Sequence, residues 1–229
     1  MSLKTALSKM TTKQKLDHIW EYYKVHIFVA VTIAYFVGWG INHYIINPPR
    51  STFINVSFYG QFVPHHIRDE LLHDIEVSLS PDVSRYEAQM LNFFFSEVDP
   101  QQNMAAHTQF GVMVGARELD ILLVHNDYLQ TIIGNNFPLD LGGILPFDKL
   151  GDLTINGQLV FGNRYQTSPL EHIEPVVIEE NLPLGISLAN VPYFASKDPM
   201  LNYFTLIVMA NTTRTQAVID FIEHTLGGN

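Results

Sequence analysis

The stretch Val25–Ile46, VHIFVAVTIAYFVGWGINHYII, contains no Asp, Glu, Lys or Arg. As a helix its 22 residues, rising about 1.5 Å each, cover roughly 33 Å, close to the ~30 Å hydrocarbon thickness of a bilayer. The expectation is one transmembrane helix, with a charge-free centre from Ile27 to Ile41 and a polar outer end at Asn42 and His43. Aromatic rings flank it, Trp20 and Tyr23 before the span and Trp39 and Tyr44 near its exit, where amphipathic rings anchor at headgroup level. A core helix of a globular protein is usually shorter and keeps a polar edge.

Charge beside the span sets the expected orientation. Residues 1–24 hold five lysines against Asp17 and Glu21, a balance of +3, which places the N-terminus in the cytoplasm. Residues 51–229 then lie outside the cell membrane with 7 basic and 21 acidic side chains, a net −14. Such acidity argues against nucleic acid as a partner. A cleaved signal peptide is the other reading of an N-terminal apolar run. Against it, the run starts after 24 residues and is followed by NPPRST rather than an A-x-A arrangement. With no cysteine, disulfides, thiol catalysis and cysteine metal sites are excluded.

Ahead of the span, TTKQKLDHIWEYYK reads as an amphipathic helix that lies in the interface before turning into the membrane. Thr11 and Gln14 form a capping box, and Leu16, Ile19, Trp20 and Tyr23 share one face. The run Trp20–Ile27, WEYYKVHI, directly before a hydrophobic helix, resembles the YYKWH-type juxtamembrane segment of small uncharacterised single-pass membrane proteins of Gram-positive bacteria. Val25 stands where those proteins often have Trp. The resemblance covers the N-terminal quarter and implies a bacterial lineage, with no activity attached.

Asn47-Pro48-Pro49 ends the helix, since proline lacks an amide hydrogen and holds its predecessor extended. Beyond it, Thr52–Tyr59 reads as a strand and Pro64–Leu79 as a helix with Ile67, Leu71, Leu72, Ile75 and Leu79 on one side. Leu91–Ser96 reads as a second strand suited to burial on both faces. A glycine-broken helix runs from Asp99-Pro100 to Ala116, and Asp120–His125 is a third, buried strand. Asn126 and Asp127 are expected to cap a helix Tyr128–Ile133. The alternation predicts an α/β domain with a mixed, partly parallel sheet and helical crossovers, one domain over 51–229. Phe137–Leu150 reads as a loop with one short helix, and Leu153–Phe161, Val176–Glu179 and Gly185–Ala189 as strands. Tyr203–Met209 is a buried strand. A last helix follows, capped by Thr213 and Gln216, packing Ala217, Ile219, Phe221, Ile222 and Leu226.

Residues 115–141, GARELDILLVHNDYLQTIIGNNFPLDL, together with Ala210-Asn211-Thr212 ahead of AVIDFIEHTL, resemble extracellular solute-binding proteins. The likeness covers about a third of the outer domain, and the chain is shorter than the usual two-lobed binder. Independently of it, ligands in open α/β sheets bind at the carboxyl ends of parallel strands. That places candidate ligand contacts at Tyr59 and Gln61, at Ser96 and Glu97, and at His125, Asn126 and Asp127. Their ordinary roles are packing, capping and solvated charge.

Other chemistry is thinly supported. In HHIRDELLHDIE, Asp69 and His73, and His66 and Glu70, share helix faces, but this is neither H-E-x-x-H nor a full ligand set, so no metal is expected. His107, His172 and His224 are isolated. Gly185-Ile-Ser187-Leu-Ala189 departs from the G-x-S-x-G elbow, and Glu179 and Glu180 point to opposite faces of a strand. No G-x-x-x-x-G-K and no G-x-G-x-x-G motif occurs, Gly38-Trp39-Gly40 lying within the span, and no cofactor is expected.

The sequence therefore predicts a non-enzymatic, membrane-anchored extracytoplasmic binding protein. It is expected to be an accessory subunit that contacts an integral-membrane partner of a transporter or envelope complex, with residues 25–46 in the lipid bilayer. The alternatives are a tethered module that binds or senses a small-molecule ligand, and an extracytoplasmic hydrolase. A polar crevice at the strand ends favours the tethered module, and exposed apolar surface favours the subunit.

Overall fold

The computed structural model describes residues 11–46, 48–96, 98–166 and 176–227, and the backbone alone at residues 12, 14–19 and 22. The chain divides into two compact units, Met1–Pro49 and Arg50–Asn229.

In the first unit, helix α1 (Thr12–Ile41) runs into a π-helical turn, Asn42–Ile46. The expected break between an interfacial helix and the span is absent. Between Thr12 and Val37 there is no Pro or Gly to interrupt the i→i−4 ladder. The 24 residues Tyr23–Ile46 are long and apolar enough to cross a membrane, with mean hydropathy 1.6 and no part of that apolar stretch buried. The Gln14 side chain, half of the first capping box, and the helix-ending Asn47 lie outside the described residues.

The second unit is a mixed seven-stranded sheet between helical layers. Strand β1 (Ser51–Gly60) is followed by α2 (His65–Leu79), the short strands β2 (Tyr86–Gln89) and β3 (Asn92–Phe94), α3 (Pro100–Gly115) and β4 (Ile121–His125). Both β2 and β3 run parallel to β1 on one side, and β4 runs parallel to it on the other. The order continues through β7 (Phe204–Val208), β6 (Val176–Ser187) and β5 (Leu159–Gln166), all antiparallel to their neighbours.

Alternation along the strands divides the core into two. Val56, Phe58, Ile121 and Leu123 pack with Ile67, Leu71 and Ile75 of α2 and with Val218, Phe221 and Ile222 of α7 (Thr215–Leu226). The intervening Tyr59, Leu122 and Val124 face Phe110 of α3 and Ile132 and Ile133 of α4 (Leu129–Gly134). Strand β4 is thus apolar on both faces, as a central strand requires.

Several expectations need correction. The strand placed at Leu91–Ser96 is three residues long, lies at the sheet edge and buries only Phe93. Its edge place leaves less to bury than a central strand has. Helix α3 passes unbroken through Gly111, started by Asp99, whose carboxylate accepts from the amides of Gln101 (3.0 Å) and Gln102 (3.2 Å). Leu153 ends up not in a strand but in α5 (Phe147–Ile155), where it faces the core; Gly157, at φ +66°, then turns the chain into β5. The two strands expected at Val176–Glu179 and Gly185–Ala189 are one, kinked at Asn181 with φ +56°. Tyr203 lies before β7 and is exposed, in a 3₁₀ turn, Pro199–Tyr203, that follows α6 (Pro192–Lys197). No box caps α7, because the Gln216 amide bonds Asp220 at 2.8 Å, and Val218 rather than Ile219 is its deeply buried residue.

Candidate functional site

Parallel strands β1, β3 and β4 bring their carboxyl ends together. The place where a crevice was expected is filled by aromatic rings. Tyr59 is buried with its ring 5.0 Å from Phe95, 4.9 Å from Phe110 and 6.0 Å from Tyr128. Phe95 in turn stacks on His107 at 4.5 Å. Burial, then the neighbouring Tyr128, pushes the Tyr59 phenol above its usual value. Gly60 makes this packing possible. It adopts φ +109°, and a Cβ there would stand 2.5 Å from the Tyr128 ring.

The other strand-end candidates are dispersed around this plug. Gln61 is exposed. Ser96 is part of the turn into α3: its hydroxyl accepts from the Val98 and Asp99 amides, both at 3.2 Å, while its own amide and carbonyl engage the Asn103 side chain. Glu97 lies outside the described residues. His125 packs edge-on against Phe204 and its Nδ1 is 3.3 Å from the Asp127 carboxylate, whose side chain is 81 % exposed. Asn126 and Asp127 do not cap α4. They form a 3₁₀ turn with Tyr128, and Asn126 Oδ1 accepts a 2.9 Å hydrogen bond from the Thr205 hydroxyl.

Polar chemistry concentrates elsewhere, in two networks that sequence patterns did not reveal. Asp120 is 0 % exposed and accepts hydrogen bonds from the Asn55 amide (2.8 Å), the Thr212 hydroxyl (2.6 Å) and Arg214 Nη1 (2.9 Å). Arg214 also reaches Glu118 at 3.0 Å, and these carboxylates raise the guanidinium pKa against the opposing effect of burial. The network ties β1, β4 and the entry to α7 at the opposite end of the sheet from the aromatic plug. In the second network, Lys197 of α6 contacts Glu70 at 3.1 Å and Asp74 at 3.8 Å, and His224 of α7 approaches Asp74 at 3.8 Å. The Tyr193 hydroxyl is buried there without a well-formed hydrogen bond; desolvation, and secondarily Asp74 and Glu70, push its pKa far up. So the acidic face of the histidine-rich helix is engaged by a lysine. Among the described residues no three His, Asp or Glu side chains converge as metal ligands. The Ser187 hydroxyl accepts from the Ala189 amide at 3.3 Å, and Glu179 pairs with Arg164.

Around the apolar helix, Trp20, Tyr23, Trp39 and Tyr44 are all exposed. Trp39 and His43 stack with centroids 5.3 Å apart and planes 8° from parallel, and Tyr44 sets its edge against both. A second uncovered apolar surface lies on the sheet. Among the described residues, β6 pairs between Val176 and Pro183 with β5 alone, and Val176, Ile178 and Phe161 of this two-stranded arm are exposed.

Comparison with protein-family models, with curated proteins and with solved structures found no match to this chain. The two resemblances therefore rest on the residues quoted for them above.

Proposed function

We propose that this protein is a single-pass, membrane-anchored binding protein, an accessory subunit whose outer domain and span both contact an integral-membrane partner. The basic segment before the span lies in the cytoplasm and the acidic α/β unit outside. The observation that carries the reading is the uncovered apolar helix Tyr23–Ile46. A helix of that length with no buried face in its own chain needs lipid or another helix around it. Two features of the outer unit support interaction over ligand capture. Tyr59, Phe95 and Tyr128 occupy the strand ends, and the β5–β6 arm offers exposed Val176 and Ile178, where a two-stranded ribbon gains from packing against another surface.

Affinity purification of the tagged full-length protein from its own membranes in mild detergent tests this. One integral-membrane partner should co-purify near equal stoichiometry. Exchanging residues 1–46 for an unrelated anchor should remove it, and Val176→Asp with Ile178→Asp should weaken it. Recovery of the protein alone counts against the subunit reading.

A further inference from the structure

A cleft of ≈ 320 Å³ opens between α5 and the C-terminal half of α7, away from the aromatic plug and from both polar networks. That volume is at the lower end of the ~300–1,000 Å³ typical of small-molecule sites. Its floor is aliphatic: Leu145, Leu153 and Ile222 are buried and Leu226 half-buried, all part of one core cluster. Around the floor stand Lys149 and Asp152 of α5 and Glu223 of α7, with the carboxamides of Asn156 and Gln158. The helical spacing explains the arrangement. Lys149 and Leu153 are four residues apart on α5, and Asp152 stands four before Asn156, the residue that caps its end, so polar heads border the apolar floor. Glu223 follows Ile222 on α7, at the boundary between its buried stripe and its wet face.

Elsewhere in this unit several charged side chains pair, Lys197 with Glu70, Arg164 with Glu179 and Arg214 with Asp120. None of Lys149, Asp152 and Glu223 makes a side-chain hydrogen bond or an ion pair with any described residue. One ammonium and two carboxylates, all on exposed residues, thus line one cleft with an aliphatic floor.

We propose that this cleft binds a small zwitterion with an apolar body, an aliphatic α-amino acid. Asp152 and Glu223 receive its ammonium group, Lys149 its carboxylate, and Leu153, Ile222 and Leu226 its side chain. The excess of one negative charge makes the ammonium the stronger determinant. An apolar acid without it would meet two unpaired carboxylates, a loss of specific pairing that outweighs the same apolar contact. The site shares no residue with the partner surface proposed above, so either reading can fail without the other.

The test is isothermal titration calorimetry on full-length protein in detergent micelles with three probes: L-leucine, L-leucinamide and 4-methylvalerate. Leucine should bind, leucinamide should bind, and 4-methylvalerate should not. Glu223→Gln should weaken leucine and leucinamide about tenfold, the equivalent of one charge-assisted hydrogen bond. Lys149→Gln should weaken leucine alone. Because these side chains are exposed and unpaired, the variants keep the wild-type melting temperature, which circular dichroism verifies. Absence of heat with leucine and leucinamide overturns the proposal. So does binding that Glu223→Gln leaves unchanged, or equal binding of 4-methylvalerate.

Discussion

Asp120 shows how one buried charge organises its surroundings. A carboxylate with no exposed surface is tolerated only when fully paired, and here a backbone amide, a hydroxyl and a guanidinium share it. Arg214→Met removes the only cation of the set and should destabilise the unit by ~3–5 kcal/mol, read as a lower midpoint in urea unfolding. Asp120→Asn, which keeps much of the hydrogen bonding, should cost less. Tyr193 predicts a pH effect of definite sign. Its folded pKa lies above the ~10 of an unfolded tyrosine, so the folded chain holds a proton that the unfolded chain releases. Its contribution is full below about pH 10 and is lost as pH rises beyond that. In unfolding experiments from pH 8 to 11, Tyr193→Phe should therefore flatten the alkaline decline by up to about 1.4 kcal/mol per pH unit. An unchanged slope would mean that the phenol ionises alike in both states.

Among the elements, α3 and α1 both carry glycines with open space around them. Gly111 lies in the interior of α3, with nothing within 4 Å of where a Cβ would sit. The helix continues because Asp99 and Pro100 fix its start and Phe110 its packing, not because glycine favours it. Gly111→Ala should stabilise the unit by ~0.5–1 kcal/mol, measured as a raised unfolding midpoint. In α1, Gly38 and Gly40 are also open, on a helix whose apolar residues are exposed on every side. The strand pairs carry a related lesson. Tyr165 at the sheet edge has its amide and carbonyl taken by the Asn136 side chain, at 3.0 and 2.6 Å. This blunts the β5 edge against pairing with another chain.

At the scale of the whole molecule, the division after Pro49 separates two ways of stabilising a chain. The unit Arg50–Asn229 has a two-sided core of buried strands between helices, enough apolar burial for a domain of this size to fold alone. Residues 50–229 expressed without the first 49 should give a single cooperative urea transition, with a midpoint equal to that of the same unit in the full-length protein. A broad or multistep transition would show that residues 1–49 contribute to its folding. The acidic balance of residues 51–229 should keep that fragment dispersed at neutral pH.

Patterns with a local cause were legible in the sequence. The apolar run of α1, the 3.6-residue spacing of Ile67, Leu71 and Ile75, the apolar β4 and the proline stop after the span each follow from residues close together in the chain. So did the mixed sheet, since strand–helix alternation requires crossovers. Strand and helix were confused around Leu153, where a short apolar stretch suits either, and packing against the core decided for α5. The caps expected at Asn126 and Thr213 failed because their segments found other partners: Thr205 took the Asn126 carbonyl, and Asp220 took Gln216. Strand order predicted where a crevice should open, but not that Phe95, from a different strand end, and Tyr128 would close over Tyr59. The convergence of Lys149 and Asp152 with Glu223, more than seventy residues later, depends on two helices meeting across the core. The sequence by itself determined the long apolar helix and the α/β alternation, because covalent neighbours and backbone periodicity suffice for them. Only the tertiary structure decided which cavities are filled, which charges are paired and which remain free, because those depend on side chains distant in sequence competing for the same space.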